Sequence, residues 1–266
     1  MTSLKRITVL ALAVLTMVFM TSTSQAESTM QKIVKSGKLI AAVQTQGPPV
    51  SFVDKNGKRT GLVIEIMEMM AKDMGVELVL QDYDWKGLIP ALSSGKADII
   101  AADMTPTAKR HMQIIFTEPV FFAENIAFAL KSKGFKAWKD LNKADISIGA
   151  TQASSYADVA KKFLPETTLK EYAGGTSQTV QALVAGRVDA GVSDKATISG
   201  FVNQNPDITV LDGVLSKEPL GFAVRPDSLH LLFSLNNYMR LIRHDGRLAQ
   251  LVDYWWNSLD WEADHK

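Results

Sequence analysis

The chain has 266 residues, with 29 Lys and Arg against 28 Asp and Glu, 46% apolar residues and no cysteine. Such a balance offers no basic footprint for nucleic acid or an anionic membrane surface. The missing cysteine excludes disulfide staples, thiolate metal sites and a cysteine nucleophile.

Residues 1–26 read as a targeting segment. Lys5 and Arg6 precede an apolar run at 7–20, broken only by Thr8 and Thr16, and small and polar residues then lead to Ala26. That order is a secretory signal peptide cut after Ala26, and its apolar run is shorter than the roughly 20 residues that span a bilayer. No cysteine stands at the cut to carry a lipid, so the expected product is released freely into a compartment that retains it, the periplasm. Loss of Lys5 and Arg6 leaves 27 basic against 28 acidic residues.

The mature part alternates strands and helices. Residues 39–43 predict a short buried strand, and 52–58 a strand ending in an Asn56-Gly57 turn. Leu62, Ile66, Met69 and Met70 repeat at helical spacing, and the helix stops at Gly75. A strand at 76–80, a helix at 85–94 ended by Gly95, and a buried strand at 97–101 follow. The rhythm restarts after Lys131: strand 146–149, helix 155–163, strand 168–172, helix 176–185, strand 189–192. Two amphipathic helices, 229–242 and 247–256, close the chain. Alternation of this kind predicts an α/β fold with largely parallel sheets. Two breaks, 131–134 and 218–221, read as crossing points between two lobes, which divide as 27–124 plus 218–266 and 125–217.

Three segments carry the candidate chemistry. After the strand ending at Ala101 come Asp103, Thr105, Pro106 and Arg110, where Thr105 and Pro106 have the pattern of a helix N-cap followed by proline. A helix start beyond the carboxyl end of a parallel strand suits a carboxylate, and Arg110 adds a guanidinium one turn on. The alternative is an ordinary capped helix with a solvated arginine. In the second half, Thr151 and Gln152 occupy a strand-to-helix turn, and Ser155 with Asp158 has capping-box spacing. Asp194 emerges from a buried strand, where it either accepts from an ammonium group or caps the next helix. His111, His230, His244 and His265 have no metal-site spacing, and no cofactor is called for. Tyr254, Trp255 and Trp256, like Met67, Met69, Met70 and Met74, read as packing.

The run Gly47-Pro48-Pro49-Val50-Ser51-Phe52, then Asn56-Gly57-Lys58 and Gly61, resembles the family 3 extracellular solute-binding proteins, the polar-amino-acid receptors of ABC transporters. So do residues 85–92 (WKGLIPAL), 95–100 (GKADII), 104–110 (MTPTAKR), 116–119 (FTEP) and, near the end, Leu235-Asn236 and 245–248 (DGRL). The resemblance covers nearly all of the mature chain in order. It implies a two-lobed periplasmic binding protein fold of type II, each lobe a mostly parallel sheet flanked by helices, joined by two crossing hinge segments. It also implies that Arg110 grips a ligand α-carboxylate with Thr105 and Thr151, that Asp194 takes the α-amino group, and that Trp85 walls the ligand side chain. The implied partners are an amino acid or similar small zwitterion and a membrane permease; the receptor itself is expected to be a monomer without catalytic activity.

The departures bear on the ligand. Gly47 stands where the family often has an aromatic residue, Gln44 where cation-binding members carry an acid, and Asp103 where many have a small residue. Asp103 is therefore expected to favour a ligand with a second cationic or hydrogen-bond-donating group. Two other readings fit the same residues: a dehydratase acting on cyclohexadienyl carboxylates, with Glu124 or Asp103 as its acid, and a soluble subunit that reports ligand to a membrane kinase.

Overall fold

A computed structural model describes residues 27–44 and 47–266, so the targeting segment at 1–26 lies outside the described residues, as do Thr45 and Gln46. The first described element is helix α1 (Thr29–Ser36). The Ser28 hydroxyl accepts from the Gln31 amide, the Gln31 side chain accepts from the Ser28 amide, and Gly37 ends the helix in the left-handed region. No helix among the described residues is long and apolar enough to cross a membrane.

The first half runs β1 (Lys38–Val43), a hairpin of β2 (Phe52–Val53) and β3 (Arg59–Thr60), α2 (Leu62–Met74), β4 (Glu77–Asp82), α3 (Leu88–Ser93), β5 (Ile99–Met104), α4 (Ala108–His111) and β6 (Ile115–Phe116). The long strand β7 (Phe121–Leu130) leads to the second half. There β8 (Ser147–Thr151), α5 (Ser155–Phe163), β9 (Thr168–Tyr172), α6 (Thr176–Val184), β10 (Ala190–Asp194), α7 (Lys195–Gln204) and β11 (Ile208–Val210) follow. A second long strand, β12 (Ser216–Val224), returns to the first half, which α8 (Leu229–His244), α9 (Arg247–Val252) and α10 (Trp261–His265) complete.

The two halves share one logic. β4, β1 and β5 are parallel, and β12 closes them antiparallel; β9, β8 and β10 are parallel, and β7 closes them antiparallel. β7 and β12 also pair with each other, from Ser216 opposite Asn125 to Leu220 opposite Phe121. The apolar clusters separate at these strands. Two draw on residues 30–123 and 220–261, and two on residues 126–215. Each sheet thus buries its faces under its own helices, which is the two-lobed α/β architecture anticipated above.

Several elements depart locally from the sequence reading. Residues 52–58 are not one strand, because the Asp54 carboxylate accepts the Asn56 and Lys58 amides at 2.9 and 2.8 Å and turns the chain early. The segment 131–134 is not a crossing point. It forms a short turn, with Lys131 N–H bonded to the Asp207 carbonyl and Lys133 paired with Asp189. The chain passes between the cores earlier, inside β7, which pairs with β12 at 121–125 and with β10 at 125–129. The C-terminal aromatics are packing, as read: Trp255 is fully buried among Phe52, Tyr254, Trp261 and His265.

Gly191 shows how tightly the second core is built. A Cβ there would lie 2.3 to 2.9 Å from the Phe128 ring, on the strand paired with it. Gly191→Ala is expected to destabilise the protein by about 1–3 kcal/mol through overpacking. Urea unfolding checks this, and an unchanged midpoint would show that Phe128 has room to yield.

Candidate functional site

Between the two halves lies a cavity of about 630 Å³, part of it open to solvent. Gln44, Gly47, Val50, Trp85, Asp103 and Thr105 line it from the first half, and Thr151, Ser154, Ser155, Tyr156, Thr176 and Thr197 from the second; Ala123, Asn125 and Leu220 belong to the two crossing strands. The wall residues sit where strands β1, β5, β8 and β10 end and the next segment begins, the position at which open α/β sheets present ligand sites. Of the nine residues expected at the site, Gln44, Gly47, Trp85, Asp103, Thr105 and Thr151 line this cavity. Gln152 is set apart in a smaller recess that shares Trp85 and Thr151 with it.

Arg110 stands just behind the wall, 8% exposed. Its Nη1 donates to the Thr105 carbonyl at 2.8 Å and its Nη2 to the Ala153 carbonyl of the other half at 3.3 Å, and the guanidinium lies 5.6 Å from the Trp85 ring centre. Trp85 Nε1 reaches the same Ala153 carbonyl at 3.2 Å. Ala153 has φ 58°, a left-handed conformation uncommon for a residue with a Cβ, and that conformation turns its carbonyl to both donors. Burial lowers the Arg110 pKa from its ordinary value, while Asp158, Glu218, Asp103 and Tyr156 act to raise it.

Thr105 is not the helix cap that the Thr-Pro pair suggested. The cap of α4 is Thr107, whose hydroxyl accepts the Arg110 amide. The Thr105 hydroxyl instead meets Ser155 Oγ across the cleft at 3.2 Å and Glu218 Oε2 at 2.8 Å. These tertiary partners occupy the hydroxyl that local capping would need. Likewise Ser154, not Ser155, caps α5, accepting the Ala157 amide, which leaves the Ser155 hydroxyl free to reach Thr105.

Asp194 is fully buried and caps α7, one of the two roles its local sequence left open. Its Oδ1 accepts the Thr197 amide at 2.7 Å, and its Oδ2 accepts the Tyr156 hydroxyl at 2.7 Å. Burial raises its pKa; the Thr197 amide and the Tyr156 hydroxyl counter this. Tyr156 is itself pushed well above the ordinary phenol value, first by burial and then by Asp194, so it remains a donor. Burial, then the Asp194 charge, raises Asp103 to about 7, against its own backbone amide and Arg110. Thr151 is 4% exposed, and its Oγ1 has no hydrogen-bond partner among the described residues although it lines the cavity.

Sequence reading missed Tyr156, Glu218 and Asn125. Glu218 and Asn125 carry a signal in hindsight, since each is a polar residue inside a strand that is otherwise mostly apolar. Glu124, considered as an acid for catalysis, is paired with Lys217 at 2.6 Å, and neither residue lines the cavity. No group of three or more metal-ligating side chains occurs among the described residues.

Comparison with known proteins agrees with this layout. Residues 39–258 match the family model of the bacterial extracellular solute-binding proteins, family 3. The glutamine-binding protein of Geobacillus stearothermophilus is 31% identical over 221 residues, 82% of this chain and 84% of that one. A solved structure of the ancestral amino acid-binding protein AncCDT-1, a precursor of cyclohexadienyl dehydratase, superposes with a TM-score of 0.80 at 32% identity, covering 86% of this chain and all of that one. A binding component of an ABC transporter from Wolinella succinogenes, complexed with lysine, gives 0.79 at 30% identity, over 85% and 99% of the two chains. A two-lobed α/β frame, a polar cleft at its strand ends and a family match over most of its length lead to one conclusion: the chain belongs to the bacterial extracellular solute-binding proteins, family 3.

Proposed function

We infer that this protein is the receptor of an ABC importer for an amino acid or similar small zwitterion, which it captures in the periplasm as a monomer by closure of its lobes and hands to a membrane permease. The observation that carries the reading is the cleft itself. Arg110 and Thr105 of one lobe reach Ala153 and Ser155 of the other, beside a cavity lined by the Asp103 carboxylate, with the Arg110 guanidinium bonded to the carbonyl of Thr105 on its wall. A zwitterion taken from water needs both of its charges paired, and this arrangement supplies both signs.

The lobes are taken as 27–124 plus 218–266 and 125–217, hinged through β7 and β12, in keeping with the separation of the apolar clusters. Arg110 and Thr105 would bind a carboxylate first. Thr151 and the Tyr156–Asp194 pair would engage as the second lobe arrives, so the ligand favours the closed form through contacts that the open form lacks. A thermal-shift screen of the refolded mature protein against amino acids, organic acids and opines tests this. One amino-acid class should raise the melting temperature, with about 2.7 kcal/mol of stabilisation at a hundredfold excess over Kd. Silence from every amino acid would refute the reading.

Dehydration of a cyclohexadienyl carboxylate is a second reading, favoured by the raised Asp103 carboxyl and the likeness to AncCDT-1. The binding role is preferred because the relatives compared above are binding proteins. Recovery of prephenate unchanged after incubation with the protein is the expected result, and formation of product would reverse the assignment.

A further inference from the structure

Glu218 belongs to the crossing strand β12, where successive side chains point to opposite faces. Leu220 on that strand lines the cavity, whereas Lys217 lines a separate groove with Glu124 and Trp256. Ser216 and Glu218, four and two residues before Leu220, therefore share its face. Glu218 is not part of the cavity wall. It reaches the site through Thr105.

The hydrogen bonds around it form a continuous chain. Asn125 Nδ2 of β7 donates to Ser216 Oγ at 2.9 Å, and Ser216 Oγ donates to Glu218 Oε1 at 3.2 Å. Thr105 Oγ1 donates to Glu218 Oε2 at 2.8 Å and lies 3.2 Å from Ser155 Oγ of the other half. Arg110 Nη1 holds Thr105 from its carbonyl side, also at 2.8 Å. Thr105 and Ser155 are both buried. Among the described residues no hydrogen bond joins Glu218 to Ser155 directly, so Thr105 is the link between them.

A hydroxyl carries one proton. The carboxylate at 2.8 Å is the stronger acceptor and takes it, so Thr105 turns a lone pair toward Ser155, whose hydroxyl donates. The direction of the bond that crosses the cleft is thus set from β12. Without an acceptor at position 218 the Thr105 hydroxyl is free to rotate, and the two hydroxyls lose their fixed donor and acceptor roles. Resting on the receptor reading above, we propose that Glu218 is a positioning residue. From the hinge strand it orients the Thr105 hydroxyl as the acceptor for Ser155, and so stabilises the closed arrangement of the lobes rather than the first capture of ligand. Its loss acts on ligand release, because Thr105 and Ser155 belong to different lobes and bond only when the lobes meet.

The test is a double-mutant cycle between Glu218 and Ser155, read by stopped-flow binding of L-lysine and L-glutamine to the mature protein. Glu218→Ala should raise the dissociation rate roughly tenfold and leave the association rate within about twofold. Ser155→Ala should raise dissociation about fivefold on its own, and less than about twofold once Glu218→Ala is present. Glu218→Gln, whose amide oxygen still accepts the Thr105 proton, should stay within about threefold of the parent. If Glu218→Ala does not fold, Glu218→Met fills the same space, accepts no proton and replaces it in the cycle. Additive effects of the two substitutions overturn the proposal. Tighter binding by Glu218→Ala also overturns it, and would mean that Glu218 competes with the ligand for the Thr105 proton.

A second readout needs no ligand. The chain has no cysteine, so Lys96→Cys and Glu166→Cys, exposed and one in each lobe, accept a pair of spin labels. Pulsed electron paramagnetic resonance then gives the fraction of molecules at the short, closed distance. That fraction should fall in Glu218→Ala and in Ser155→Ala and hold in Glu218→Gln. If it does so while neither lysine nor glutamine binds the parent, the positioning role stands and the amino-acid reading falls. If neither the closed fraction nor the dissociation rate changes, the positioning role falls and the receptor reading is untouched.

Discussion

Arg110→Ala should lose ligand affinity by roughly 100- to 1000-fold, equivalent to about 3–4 kcal/mol, while the protein stays folded. The loss has two sources. A bidentate, charge-assisted contact to a carboxylate disappears, and the ligand anion is left buried without its partner. The Ala153 carbonyl also loses one of its two donors from the opposite lobe, which weakens closure. Arg110→Lys should recover only part of the affinity, because an ammonium cannot span Thr105, Ala153 and a carboxylate with one planar fork. Titration calorimetry of both variants decides the matter. Unchanged affinity in Arg110→Ala would mean that the ligand's anionic group lies elsewhere, and a collapsed melting transition would make Arg110 a structural residue instead.

Trp255→Ala should be the most damaging single change to the fold, at about 4 kcal/mol and a drop in Tm on the order of 10 °C. Trp255 is fully buried, stacks on Trp261 with centroids 5.8 Å apart, and meets Phe52 edge-on at 5.9 Å. Its Nε1 also donates to Glu65 Oε2 at 2.9 Å, so truncation removes a donor from that carboxylate as well as opening a cavity. These contacts fasten the C-terminal helices to α2 and the β2–β3 hairpin of the first lobe, away from the cleft. Ligand affinity of the folded fraction should therefore match that of the parent. Differential scanning calorimetry with and without ligand separates the two effects; a large loss of affinity in the folded fraction would show that the C-terminal cluster positions the cleft directly.

The two predictions also mark how the residues divide. Arg110, Thr105 and Thr151 were singled out because each belongs to a local pattern at a strand end, whereas Trp85 was singled out only through the family resemblance. The capping assignments at Thr105 and Ser155 failed by one or two positions for one reason. Both hydroxyls are claimed by the opposite lobe, and the neighbouring residues Thr107 and Ser154 cap in their place. A single hydroxyl serves a local cap or a distant partner, and local sequence does not record the distant one.

The sequence by itself determined the α/β class, the alternating elements, the packing role of the C-terminal aromatics and the residues at the strand ends. Periodicity and turn residues are set by neighbours three or four positions away, and they read out directly. Only the tertiary structure decided that 131–134 forms a short turn held by Asp207 and Asp189, and that Asp194 spends its oxygens on Thr197 and Tyr156. It alone brought Tyr156 to the cavity and set Glu218 against Thr105 on its wall. Those juxtapositions depend on strand register and on the approach of two lobes, between residues as far apart as Thr105 and Glu218, and such distances leave no periodic trace in the chain.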